Sequence, residues 1–142
     1  MKPLTILPLL GLLAACAPTT QAQPTYTFEG NTRFVFLVQK IRVTYTVNPV
    51  THEARGEYRN LSSGDTFTLR GTHLPSARGD LLTATIDPGD TPRLNASLLG
   101  LGIGNVSLKA SGTLAATITA GTLTGTLRVN GFNYPITLTR AP

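Results

Sequence analysis

Hydrophobic and polar residues alternate along most of the chain after residue 25. Between residues 41 and 47 the odd positions are Ile, Val, Tyr and Val, while the even positions are Arg or Thr. Between residues 53 and 59 the odd positions are charged and the even positions are Ala, Gly and Tyr. Strict alternation is typical of a β-strand with one buried face. Both stretches therefore predict strands with one buried face and one solvent-exposed face.

Turn signals separate the predicted strands at short intervals. Asn130-Gly131 lies between hydrophobic residues and is the strongest hairpin signal in the chain, because Asn-Gly suits tight β-hairpin turns. Residues 112–118 and 121–127 match at four positions, which predicts a hairpin whose strand pattern is repeated once. Residues 34–38 are apolar throughout, and such a run predicts a stretch that is covered on both faces.

About eight to ten short strands with tight turns predict an all-β domain. Successive hairpins favour a small antiparallel up-and-down β-barrel, because closure removes the exposed edges of a sheet. A β-sandwich is the alternative.

Residues 91–100 fit two different structures. A Thr at the N-cap, a Pro in the first turn and a Gly past the end would frame a short helix. The same stretch places Leu94, Ala96 and Leu98 at alternate positions, which would form the inward face of a strand. The surrounding strands favour the second structure.

The N-terminus has the pattern of an export signal. Lys2 precedes a mostly apolar run over residues 4–15, which is shorter than the roughly 20 residues needed to span a bilayer. The run ends in Leu-Ala-Ala-Cys at residues 13–16, and Cys16 is the one cysteine of the chain. Here the chain resembles a bacterial lipoprotein precursor, whose lipobox has this pattern. The resemblance implies cleavage just before Cys16 and lipidation of Cys16 on sulfur and on its new amino group.

The resemblance covers residues 1–16 and divides the chain into three expected parts. Residues 1–15 would be the lipoprotein signal peptide, residues 16–24 a lipid-anchored tether, and residues 25–142 a single all-β domain. Residues 17–24 are small, polar and proline-containing, as a tether requires. The expected location is therefore the cell envelope, on the exported side of a bacterial membrane.

Charge is unevenly distributed along the chain. There are 12 basic and 7 acidic residues, and removal of Lys2 with the signal leaves a net charge of +4. Residues 25–90 carry seven of each sign, whereas residues 91–142 carry four basic residues and no carboxylate. The basic residues of this C-terminal segment would favour anionic head groups near a membrane. The alternative is that they are scattered, solvated side chains. Nucleic-acid binding is not expected, because no basic cluster is interleaved with aromatics.

Few side chains suggest metal or catalytic chemistry. His52 and His73 are the two histidines, and either kind of site would need both to converge with a carboxylate such as Asp65. Glu53 and Glu57 would lie about 13 Å apart on one strand, which is too far for a glycosidase pair. Alternation with arginines predicts a salt-bridged wet face instead.

Two further acidic motifs are explained by turns. Asp87 and Asp90 flank Pro-Gly, and calcium binding there is a weak alternative to a turn. Residues 78–80 spell Arg-Gly-Asp, an adhesion tripeptide that a turn also accounts for. We therefore expect no catalytic residue, no metal and no cofactor, and we do not expect an enzyme.

The sequence thus predicts a lipid-anchored bacterial cell-envelope protein with a structural or protein-interaction role. Its expected partners are the membrane, through the lipid on Cys16, and an envelope protein. The alternative is a carrier that holds a small apolar ligand inside the barrel. Small inward residues would either leave a cavity for such a ligand or let the barrel close tightly; they are Ala54, Gly56, Ala84, Ala96, Ala116 and Gly125.

Overall fold

The computed structural model describes residues 22–88 and 111–142. Eight strands form a closed barrel in which each strand pairs with the next and β8 pairs with β1. All of these pairings are antiparallel, so the predicted up-and-down barrel is confirmed and the sandwich alternative is not adopted. The strands are β1 (Thr25–Phe34), β2 (Leu37–Val47), β3 (Glu53–Asn60), β4 (Thr66–Leu74), β5 (Asp80–Pro88), β6 (Gly112–Thr119), β7 (Thr122–Val129) and β8 (Phe132–Arg140).

Several sequence predictions fall outside the described residues. They concern the signal peptide, Cys16, the helix or strand at residues 91–100, and Asp90. Within residues 22–88 and 111–142, no helix is long and apolar enough to cross a membrane.

The barrel has two ends that the connectivity defines. The tether end holds the start of β1, the end of β8 and the β2–β3, β4–β5 and β6–β7 turns. The far end holds the β1–β2, β3–β4 and β7–β8 turns. Because neighbouring strands run in opposite directions, each of these turns lies at one end of the barrel, and the residues beside a turn lie at the same end.

The predicted hairpins at the C-terminal side are confirmed. Ala120 and Gly121 join β6 to β7, and Asn130 and Gly131 join β7 to β8. All four residues have positive φ, between 50° and 82°, which is the requirement of a two-residue turn of type I′. Asn and Gly adopt this left-handed backbone conformation more readily than other residues, which is why the Asn-Gly pair predicted the turn correctly.

Alternation along the strands places one face of each strand inside the barrel. Ile41, Val43, Tyr45 and Val47 are at most 5% exposed, as their spacing predicts. Twenty of the described hydrophobic residues form a single buried cluster. Its largest members are Tyr45, Tyr58, Phe28, Phe34, Phe67, Ile41, Leu69, Leu82, Ile86, Leu114 and Leu123.

Inward glycines such as Gly56 and Gly125 allow neighbouring strands to approach closely. A Cβ on Gly56 would collide with the carbonyl oxygen of Thr44 and lie 2.5 Å from the Cα of Tyr45. A Cβ on Gly125 would lie 2.6 Å from the Cα of Ala116. These contacts are with backbone, which cannot move aside as a flexible side chain can. At these positions, small residues serve tight closure of the barrel.

The closure between β1 and β8 is the shortest ladder of the barrel. It registers two residue pairs, Phe28 with Arg140 and Glu29 with Thr139, whereas β1 and β2 register ten. Beyond Glu29 the two strands are joined by side chains. The rings of Phe34 and Tyr134 pack edge to face with centroids 5.5 Å apart.

The prediction that residues 34–38 are covered on both faces is wrong. Val35 and Phe36 form the β1–β2 turn, and Val35, Phe36 and Val38 are 56%, 72% and 62% exposed. The run is apolar because it combines the inward end of β1 with an exposed hydrophobic turn. Hydrophobicity alone cannot separate these two cases.

We expect Gly56→Ala to destabilise the barrel by about 1–3 kcal/mol, because the added methyl must displace the Thr44 carbonyl. The outward-facing substitution Thr83→Ala should change the free energy of unfolding by less than about 0.5 kcal/mol. Urea denaturation of both variants measures the difference. Equal stability of Gly56→Ala and the parent would show that the strands are farther apart than described.

Candidate functional site

Polar and aromatic side chains collect inside the tether end of the barrel. We call this group the tether-end cluster: Tyr26, Tyr45, His73, Asp80 and Arg140. They lie at the start of β1, the end of β2, the end of β4, the start of β5 and the end of β8. Each lies on the inward-facing side of its strand within one or two inward positions of the tether end, so alternation brings together residues from distant parts of the sequence.

A chain of hydrogen bonds runs through the cluster. The Tyr45 hydroxyl lies 3.0 Å from Nδ1 of His73, and Nε2 of His73 lies 2.8 Å from Oδ2 of Asp80. A carboxylate only accepts, so these partners assign the proton of a neutral imidazole to Nε2. Nδ1 then accepts from the Tyr45 hydroxyl, and every polar atom of His73 is satisfied.

Aromatic contacts cover this hydrogen-bonded chain. The Tyr26 ring stacks on Tyr45 with centroids 5.3 Å apart and lies 4.8 Å from the His73 ring. The Arg140 guanidinium carbon lies 5.2 Å from the Tyr26 centroid, within the range of a cation–π contact. Tyr26 is therefore held between Arg140 and the buried pair.

The surroundings of Tyr45 favour the protonated form of its phenol. Burial raises the pKa of Tyr45 well above its ordinary value, and Tyr26 and Asp80 raise it further, against an opposing contribution from Arg140. Tyr45 is 1% exposed and His73 is 4% exposed, so neither side chain can reach a substrate in this arrangement. The cluster closes the tether end with Tyr45 and His73 buried beneath Tyr26 and Arg140, and Tyr45 is a hydrogen-bond donor, not a nucleophile.

The convergence of His52, His73 and Asp65 that a catalytic or metal site would need does not occur. Asp65 precedes β4 and His73 is near its end, so eight residues of strand separate them by about 26 Å. The carboxylate beside His73 is Asp80, which the sequence analysis assigned to a turn. His52 approaches through its backbone, since its carbonyl oxygen accepts from the His73 amide at 2.9 Å. Within the part of the chain that the structure describes, no three potential ligands form a metal site.

The structure describes several of the outward acidic residues that the sequence singles out. Arg55 and Glu53 form an exposed ion pair at 2.7 Å, in agreement with the salt-bridged wet face. Glu57 lies on the same face. Asp87 is exposed near the end of β5, and its predicted partner in a turn, Asp90, lies outside the described residues.

The far end contains a second buried polar group with a structural role. The Asn60 side-chain oxygen accepts from the Ser62 and Ser63 amides at 3.0 and 3.1 Å, which shapes the β3–β4 turn. Nδ2 of Asn60 and Oγ1 of Thr32 are buried, with no hydrogen-bond partner among the described residues. These are the inward polar atoms that a bound molecule could address.

The stability of the barrel is expected to fall as pH rises above about 10. Unfolded Tyr45 loses its proton near pH 10 while folded Tyr45 retains it, so each such phenol contributes a slope of about 1.4 kcal/mol per pH unit. Tyr45→Phe should remove the contribution of one phenol from this slope. At pH 7 it should lower the free energy of unfolding by about 1–3 kcal/mol, because Nδ1 of His73 loses its hydrogen-bond donor. Urea unfolding between pH 7 and 11 measures both effects. An unchanged slope would contradict the raised pKa.

Comparison with known proteins identifies no family for this chain. No family model, no curated protein and no solved structure matches the chain significantly. The candidate sites therefore rest on the residues and distances described above.

Proposed function

We propose that the protein is an exported, lipid-anchored component of the bacterial cell envelope with a structural or protein-interaction role. The lipobox pattern that ends at Cys16 supports the anchor. The proposed partners are the membrane, through the lipid on Cys16, and another envelope component bound at the surface of the barrel. Catalysis is not part of the proposal, because His73 at the tether end is buried and both of its ring nitrogens have hydrogen-bond partners.

The path of the chain into the barrel is compatible with this anchor. Pro24 precedes β1, and its carbonyl oxygen accepts from the Val47 amide at 3.1 Å. Nine residues from Cys16 to Pro24 reach at most about 30 Å when extended. A lipid on Cys16 would therefore hold the tether end of the barrel close to the membrane.

The observation that carries the surface role is the occupation of the interior by side chains. Tyr45, Tyr58, Phe28, Phe34 and Phe67 are all at most 1% exposed and belong to one cluster. An eight-stranded barrel is just wide enough to be filled in this way. A barrel that packs its own interior acts through its outer surface and its ends.

A specific observation keeps the carrier function as a second candidate. Oγ1 of Thr32 and Nδ2 of Asn60 are buried without partners among the described residues, and an unpaired buried polar group is costly. A small, mostly apolar molecule with a polar group could satisfy them. Native mass spectrometry of the membrane-extracted protein tests this, because a carrier would retain non-covalent mass and a filled barrel would not.

We expect Cys16→Ser to abolish acylation and to move the protein from the membrane fraction to the soluble fraction. The parent should instead carry the mass of an acylated chain that begins at Cys16. Fractionation followed by intact-mass measurement gives both results. Membrane retention of Cys16→Ser with an unmodified mass would overturn the anchor, and Ser111→Ala serves as a control that should leave both results unchanged.

A further inference from the structure

Exposed hydrophobic side chains form a surface at the far end of the barrel. We call it the apolar tip, and it consists of Val35, Phe36, Val38 and Phe132, which are 56%, 72%, 62% and 68% exposed. Three of these residues belong to the β1–β2 hairpin and the fourth begins β8. Large exposed hydrophobic groups that lie together mark interaction surfaces.

The two phenylalanines of the apolar tip lie at the same end of neighbouring strands. Phe36 is two residues beyond Phe34 in the β1–β2 turn, and Phe132 is two residues before Tyr134 at the start of β8. One step inside, the rings of Phe34 and Tyr134 are already in contact. The contact between Phe34 and Tyr134 thus brings the β1–β2 turn and the start of β8 side by side, although they are almost 100 positions apart in the sequence.

The turn at the apolar tip is strained. Val35 has a φ of 57°, in the left-handed region where a β-branched residue is an outlier. The β7–β8 turn beside it has Asn130 and Gly131 at the corresponding positions, which adopt positive φ at little cost. A strained backbone that exposes Val and Phe points to a use for those side chains.

Cations outnumber carboxylates on the strands that carry the apolar tip, and exposed Asp87 of β5 lines the same groove as Arg128. In the described residues, the wall formed by β6, β7, β8, β1 and β2 carries five cations and one carboxylate. That carboxylate, Glu29, already accepts from Arg42 at 2.6 Å. The opposite wall, residues 48–88, carries four cations and five carboxylates. Arg33, Lys40 and Arg128 are the exposed cations on the far half of the basic wall.

We propose that the apolar tip, with Arg33, Lys40 and Arg128, binds the surface of an anionic lipid bilayer. Hydrophobic side chains insert at the boundary between head groups and acyl chains, and cations behind them bind the anionic head groups. Arg33 is registered opposite Val38 and Lys40 lies two residues beyond Val38, and cations this close to the hydrophobic groups match the uniform charge of such a surface. A protein partner would be expected to meet charges of both signs.

The direction of the apolar tip adds a consequence for the anchored protein. The chain enters the barrel at the tether end, and the apolar tip is at the opposite end. A barrel held by a lipid on Cys16 would therefore present the apolar tip to a facing bilayer and connect two membrane surfaces. This orientation rests on the proposed function, whereas lipid binding by the apolar tip does not.

Vesicle binding of the unlipidated chain tests the inference. A chain that starts at residue 16 with Cys16→Ser keeps all eight strands, because β1 begins at Thr25. It should sediment with phosphatidylcholine vesicles that contain about 30% phosphatidylglycerol and bind pure phosphatidylcholine at least about tenfold more weakly. Equal binding to both vesicles, or binding to neither, would overturn the proposal.

Paired variants locate the binding to one end of the barrel. F36S/F132S should lower binding to the anionic vesicles at least about tenfold. The control V50S/L81S removes two exposed hydrophobic side chains, 79% and 47% exposed, at the tether end and should bind like the parent. Equal loss in both variants would overturn the assignment to the apolar tip.

The cations and the strained turn give two further variants. Arg33→Gln and Arg128→Gln should each weaken binding about fivefold, whereas Arg70→Gln on the opposite wall should not. V35N/F36G should raise the midpoint of urea unfolding and still weaken vesicle binding, since it relieves the turn and removes the hydrophobic groups. A lower midpoint would mean that the apolar tip packs within the folded chain, which would also overturn the proposal.

The lipidated protein separates this inference from the anchor. Acylated parent protein should cluster anionic vesicles in a light-scattering assay, and acylated F36S/F132S should bind them without clustering. Binding by the unlipidated parent, combined with an unmodified Cys16 in cells, would leave the apolar tip supported and the anchor wrong. Clustering by acylated F36S/F132S would leave the anchor supported and the apolar tip wrong.

Discussion

Closure of eight strands into one narrow barrel is the constraint on which the rest of the structure depends. A closed sheet of this size has an interior only wide enough for its own side chains, so every inward position must fit its neighbours in volume. Large residues such as Tyr58 and Phe67 pack with ring centroids 5.9 Å apart. Elsewhere Gly56 and Gly125 let adjacent backbones approach where a Cβ would collide. The inward residues thus determine both how the interior is filled and how closely adjacent strands approach.

The same constraint moves function to the ends of the barrel. Along the middle of the strands, inward residues are apolar and outward residues are polar or charged. Only at the last inward position is there room for a group that is partly wet, such as Asp80 beside His73. One end is closed by the hydrogen-bonded cluster around His73, and the other exposes the aromatic side chains of Phe36 and Phe132. The two ends therefore differ in chemistry although the wall between them is continuous.

The barrel was predictable from the sequence because its signals are local. Alternation over residues 41–47 and 53–59 gives strands with a known inward face, and Asn130-Gly131 fixes a hairpin through its backbone preference. Closure follows because consecutive hairpins leave two edges that only β1 and β8 can pair. The sequence could not separate a small inward residue that leaves a cavity from one that permits contact, since that depends on the opposite strand.

The candidate sites were less predictable because they depend on register. Asp80 follows a turn sequence and lies next to His73 only once β4 and β5 are paired. Asp65 precedes β4 and His73 lies near the end of β4, so the length of the strand separates the two side chains. Residues 34–38 were misassigned for a related reason. A hydrophobic run gives the same pattern in a core strand and in an exposed hairpin turn, and only the positive φ of Val35 reveals the turn.

The closure between β1 and β8 is the central claim, and cross-strand NOEs in solution test it most directly. The barrel predicts contacts between the backbone protons of Glu29 and Thr139, alongside the contacts expected within the β1–β2 and β7–β8 hairpins. Absence of the Glu29–Thr139 contacts, with both hairpins intact, would mean an open sheet. The filled interior and the apolar tip would then both be lost.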